Sequence, residues 1–131
     1  MGDKWRFRGF DAIGRKGWVY GDLVHDKKVT VTGLEDRVKV GGYEVVPESV
    51  GICVGFNDKN NVMIYEGDVI RDESEVLGYV RYDVVMSRFE YGQVNKYGTG
   101  SCWSWLDASV SEYEVVGNIY EHPDMVRILK E

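Results

Sequence analysis

Three carboxylates, Asp58, Glu66 and Asp68, fall close together in the stretch DKNNVMIYEGDVI, residues 58–70. Oxygen ligands grouped in this way suit a hard cation such as Mg²⁺, and paired carboxylates can divide acid and base work in a small enzyme. Glu66 and Asp68 are two apart, so an extended backbone would put both on one face, with Asp58 approaching across a hairpin. The same residue types also serve a structural end. Asp58 can accept from backbone N–H groups two residues on, Asn60-Asn61 supply positive φ, and Gly67 permits a second tight turn where Asp68 meets the start of a strand. DKNN then joins two strands, Ile64 enters the core, and Tyr65, Glu66, Gly67 and Asp68 belong to the second turn. Turn capping is the expectation for these carboxylates. A metal-dependent site built on Asp58, Glu66 and Asp68 is its rival.

Other routes to chemistry are poorly supplied. His25 and His122 lie in no recognisable elbow, there is no GxSxG, and Cys53 and Cys102 are far apart without CxxC spacing, which reads as free thiols in a reducing compartment. GTGSCW at residues 98–103 begins like a dinucleotide loop but lacks the third glycine and the following helix. No cofactor is indicated. The net charge is −6 and the pI about 5.0. Broad binding to phosphate backbones needs an excess of Lys and Arg, so nucleic acid is not the expected partner. The charge is uneven: residues 1–40 hold nine Lys/Arg and six Asp/Glu, or +3, and residues 41–131 hold seven and sixteen, or −9. Single-strand binding through Lys4, Arg6, Arg8, Arg15 and Lys16 is therefore a second rival, and Trp103 and Trp105, on one strand face, could stack bases.

The elements that must position these residues read as strands. With 44% hydrophobic and 29% charged residues over 131 positions, the chain has the composition of an ordered domain. Its apolar runs are three or four residues long, far short of the roughly 20 needed for a membrane helix, and no apolar leader follows Met1. KWRFRGF alternates Trp5 and Phe7 with Lys4, Arg6 and Arg8, then turns at Gly14 to Gly17 into WVYGDLVH, a hairpin. KKVTVTG, a turn at GLED and RVKVGGYEVV give a second hairpin, ended by Pro47. Residues 76–91, 101–106 and EYEVVGNIYE continue the pattern, the last with a bend or bulge at Gly117. The expectation is a mainly β protein of eight to ten short strands in a compact barrel or sheet architecture. It is one unit over residues 1–131, with a possible seam near 47–51 between two small β subdomains. Gly-Asp-x-β-branched leading a strand, followed by GYVRYD, resembles the opening of SH3-like barrels. Pro123, with Met125, Ile128 and Leu129 at helical spacing, predicts a short C-terminal helix.

GFNDKNNVMIYEGDVI, preceded by SVGICV, resembles the signature of the YopX-like family of phage and prophage proteins, in which an Asp-Lys-Asn turn is followed by Ile-Tyr-Glu-Gly-Asp and a β-branched pair. FRGFD near the start, similar to the family's Phe-Arg-Ala-Trp-Asp, and SWLD with EVVGNIYEHPD near the end extend the resemblance over almost the whole chain. It implies phage or prophage origin, a location in the host cell cytoplasm, a compact fold and a homo-oligomer, and it supplies no substrate or catalytic residue. Gly9 and Phe10 stand where the family has Ala and Trp, and Asn61 where Gly is usual. Val62 and Met63 stand where the family has charged or polar residues, which makes them interface candidates beside an exposed turn. The resulting expectation is a noncatalytic protein acting through contacts with its own copies and with a phage or host protein, without nucleic acid or membrane.

Overall fold

The computed structural model describes residues 7–73, 76–85, 87–94, 101–106 and 108–126, with backbone alone for 93, 94, 101–105, 108 and 109. Twelve strands occur among the described residues, and every pairing between them is antiparallel. The chain divides into two compact units, Met1–Cys53 and Val54–Glu131.

In the first unit β1 (Phe7–Phe10) pairs with β2 (Trp18–Gly21), Phe7 opposite Gly21 and Phe10 opposite Trp18. Each residue of FRGFD has a packing reason. Gly9 is needed because a Cβ there would lie 2.8 Å from the Val45 side chain. Arg8 is buried with its guanidinium 4.5 Å from the Trp18 ring centre, Phe10 meets Trp18 edge to face, and Asp11 accepts from the N–H groups of Ile13 and Lys16 to hold the turn. WVYGDLVH is not one strand. It breaks after Gly21, whose φ of +147° and close approach to the Gly41 backbone exclude a side chain.

β3 (Leu23–Thr30) and β4 (Gly33–Val40) then form a long hairpin, with β5 (Tyr43–Glu44) beside β4. The turn falls at Val31-Thr32 rather than at GLED, because Thr30 Oγ1 accepts from the Thr32 N–H and donates to the Gly33 carbonyl, which draws GLED into β4. Val19, Val40 and Val45 form the core of this unit, with Phe7, Leu23, Val38 and Val50 packed on it. Pro47–Ser49 makes a 3-10 turn before β6 (Gly51–Asn57). The first residues of β6 pair with β1, and its last residues belong to the second unit.

In the second unit β7 (Met63–Tyr65) is followed by a five-stranded sheet of β8 (Asp68–Arg71), β9 (Leu77–Asp83), β10 (Arg88–Val94), β11 (Ser101–Trp105) and β12 (Glu114–Asn118), in the order β11-β10-β9-β8-β12. Neighbouring residues of β8 feed two separate cores, as the two-residue period of a strand requires. Ile70 joins Ile64, Val80 and Val110, while Val69 joins Leu77, Tyr79, Val116 and Ile119. Against β8, the register of β12 slips between Val115 and Gly117, a bulge that leaves Val116 as the extra residue.

Two expectations require correction. Among the described residues no sheet closes into a barrel: the five-stranded sheet ends at β11 and β12, and the three-stranded one at β3 and β5, so the SH3-like comparison finds no support here. The C-terminal helix reduces to a 3-10 turn over Pro123–Val126, since the Met125 N–H donates to the His122 carbonyl three residues back. Ile128 and Leu129 lie outside the described residues. Among the described residues no helix is long and apolar enough to cross a membrane.

Candidate functional site

The three signature carboxylates are set by the two turns on either side of β7. Asp58 is 5% exposed. Its Oδ1 accepts from the N–H groups of Asn60 and Val62, both at 2.8 Å, and its Oδ2 accepts from the Val115 N–H on β12 at 2.9 Å. The Lys59 N–H donates to the Tyr113 carbonyl, so the DKNN turn is strapped at two points to the stretch from Tyr113 to Val115, where β12 begins. Asn61 alone takes the left-handed conformation, with φ of +66°; Asn60 does not share it. A short amide side chain tolerates that backbone without a glycine, and Asn61 Oδ1 also accepts from Asn57 Nδ2.

In the second turn Gly67 has φ of +94°, its N–H donates to the Val80 carbonyl, and its carbonyl accepts from the Ile119 N–H. Asp68 is 1% exposed and its Oδ2 accepts from the Tyr65 N–H at 2.8 Å. Tyr65 is buried and Glu66 half-buried in the same turn. Asp58 and Asp68 thus each close their own turn, and Asp58 joins its turn to a distant strand. Among the described residues no group of three or more His, Cys, Asp or Glu side chains is arranged to hold a metal ion. Val62 is exposed at the end of the DKNN turn, and Met63, the first residue of β7, is half-buried.

Sequence reading missed two charged clusters. Glu90 on β10 is 2% exposed; Arg81 Nε and Nη2 donate to its Oε1, and Arg88 Nε donates to its Oε2. Arg81 and Glu90 are cross-strand partners, a pairing open to anyone who fixed the β9–β10 register, which the sequence does not do. On the neighbouring strands Arg71 Nη2 donates to Glu114 and holds its carboxyl below the usual carboxylate range, with Lys59 adding to the effect. Asn118 supplies a third missed device. Its Oδ1 accepts from the Glu121 N–H and its own N–H donates to His122 Nδ1, while His122 fills the space beside Gly117.

The basic N-terminal set is dispersed. Arg8 is buried on Trp18, Arg15 is exposed, and Lys16 lies 5.3 Å from the Tyr43 ring centre. Lys4 and Arg6 lie outside the described residues, as do residues 98–100 of GTGSCW and the side chains of Cys102, Trp103 and Trp105. Cys53 is a half-buried thiol in β6.

These features define a mainly β protein of antiparallel sheets in which the polar residues of the signature hold turns. The chain belongs to the YopX family, whose model, described as "YopX protein", matches residues 6–127. A solved structure, protein EF1440 from Enterococcus faecalis, is similar at 19% identity with a TM-score of 0.42, over 92% of this chain and 96% of that one. Comparison with curated proteins gives no match.

Proposed function

We propose that the protein is a noncatalytic phage or prophage protein, working in the host cytoplasm through protein–protein contacts and self-assembly. The phage setting comes with the signature that places the chain in its family. The observation that carries the rest is the engagement of Asp58 with three backbone N–H groups, together with that of Asp68 with a fourth. Carboxylates bonded in this way cap turns, so the signature offers a scaffold rather than a reaction centre. What the surface presents instead is apolar: Val62 beside the first turn, Val84 and Val85 between β9 and β10, and Val29, Val31 and Leu34 at the end of the β3–β4 hairpin. Light scattering after size exclusion, at tens of micromolar protein, is expected to give a mass above the chain's own 15.0 kDa. Calorimetry with Mg²⁺ or Mn²⁺ is expected to show no tight site. A mass of 15.0 kDa throughout, or tight metal binding, would overturn the reading.

A further inference from the structure

Among the described residues, β3 is a sheet edge with little to protect it. It runs for eight residues, Leu23–Thr30, paired with β4 at every position without a bulge or proline, and it is the outer strand of its sheet. Val24 is 48% exposed, Val29 83% and Val31, just past the strand, 105%. A long flat edge with apolar side chains is a template for pairing with another strand. Lysines normally guard such edges, and here Lys27 and Lys28 occupy the guarding positions. Both are paired within their own sheet, the exposed Lys27 with Asp36 and Lys28 with the two carboxylate oxygens of Glu44, which leaves the Lys28 ammonium a third N–H.

From these features, and resting on the self-assembly reading above, we propose that β3 pairs antiparallel with β3 of a second copy, about a two-fold axis at Lys27. Two-fold antiparallel pairing puts some residue opposite itself, because partners must share a face of the joined sheet, so only a few registers are available. Centring on Asp26 opposes the two Asp26 carboxylates and sets His25 against Lys27. Centring on Lys28 opposes the two Lys28 side chains and leaves Asp26 facing Thr30. Centring on Lys27 sets Asp26 opposite the partner's Lys28 twice over, and it brings Val31 beside the partner's Leu23 and Val29 beside the partner's His25. The two Lys27 side chains that meet at the axis each have Asp36 at their other side. Val29 and Val31 fall on the same face as Leu23, which packs on the Val19, Val40 and Val45 core. The exposed end of one hairpin therefore extends the core-side face of the other. Asp26 has room in its bonding for the second cation: each oxygen takes one bond from Arg37, and a carboxylate oxygen has two lone pairs.

The test exploits this pairing of Asp26 with the partner's Lys28. Lys28→Glu gives an edge with two acids and Asp26→Lys one with two bases, so each variant alone repels its own copy. Mixed in equal amounts, the two edges are complementary. Light scattering after size exclusion is expected to show the wild type at twice 15.0 kDa or a multiple of that, each variant near 15.0 kDa, and the mixture returned to the wild-type mass. Circular dichroism of each variant checks that it is folded, and a fault in folding would not be mended by mixing. Variants that associate as the wild type does would overturn the β3 pairing and leave self-assembly standing on another surface. The same holds if the mixture fails to recover. A wild type at 15.0 kDa under all conditions would overturn both.

Discussion

Residues 58–70 and the β3–β4 hairpin are both short, polar and turn-bearing, yet they use their charges differently. In the first, Asp58 and Asp68 are buried and bonded to backbone N–H groups. In the second, Asp26 meets Arg37 and Lys27 meets Asp36 as side-chain pairs across the sheet, and the hairpin's valines face solvent. Removing a buried acceptor strands its donors, at about 1–3 kcal/mol for each unsatisfied group, whereas exposed ion pairs contribute little because water screens them. The acidic signature is thus where stability is concentrated, and the hairpin is where the surface can change without loss of the fold.

The largest expected effect comes from Asp58. Asp58→Ala leaves the N–H groups of Asn60, Val62 and Val115 without their acceptor; water reaches the first two at exposed residues, so the loss is about 2–4 kcal/mol, read from chemical denaturation. Gly67→Val forces a β-branched side chain to φ near +94° and is expected to cost on the order of 1–3 kcal/mol in the same assay. Asp68→Asn keeps an oxygen for the Tyr65 N–H and should retain most of the stability. On the hairpin, Val29→Ser is expected to leave the unfolding free energy within about 0.5 kcal/mol of the wild type, as surface changes usually do, while reducing the mass in solution. A hairpin variant as damaging as Asp58→Ala would erase the contrast between the two regions.

Acid sharpens the contrast in a different way. Glu114 has its folded pKa depressed by the Arg71 hydrogen bond, and Asp26 by that of Arg37. A depressed carboxylate contributes stability above its unfolded pKa and loses that contribution as pH falls through the folded one. Both therefore weaken the protein only below the ordinary carboxylate range, roughly pH 4. Arg71→Gln should raise the Glu114 carboxyl toward its ordinary value in an NMR titration and shrink the part of the acid-linked loss that comes from this residue. An unmoved titration would show that Arg71 is not what holds it.

Much of this was legible in the residues. Asp58, Asn61 and Gly67 announced their turns because each needs a backbone state or a bond that few other residue types supply, and that need is local. The partners were not local. That Asp58 also reaches Val115, that Gly9 must pass Val45, and that Arg81 and Arg88 share Glu90 are all facts of register and strand order, which alternating patterns do not fix. Arg8 illustrates the limit from the other side: alternation set it opposite Phe7, which suggested a solvent-facing cation, and the Trp18 ring takes it into the interior instead. The hairpin turn at Val31-Thr32 was misplaced because a threonine hydroxyl bond outweighed the stronger-looking turn residues of GLED.

The central claim is that Asp58 and Asp68 hold backbone rather than serve a reaction, and thermal unfolding of Asp58→Asn with and without millimolar Mn²⁺ tests it most directly. Asparagine has one acceptor oxygen where Asp58 uses two, so it cannot satisfy both its own turn and the Val115 N–H. The account predicts a loss of about 1–3 kcal/mol in the variant and no response to Mn²⁺ in either protein. A wild type whose melting temperature rises with Mn²⁺, beside a variant equally stable without metal and indifferent to it, would contradict the account.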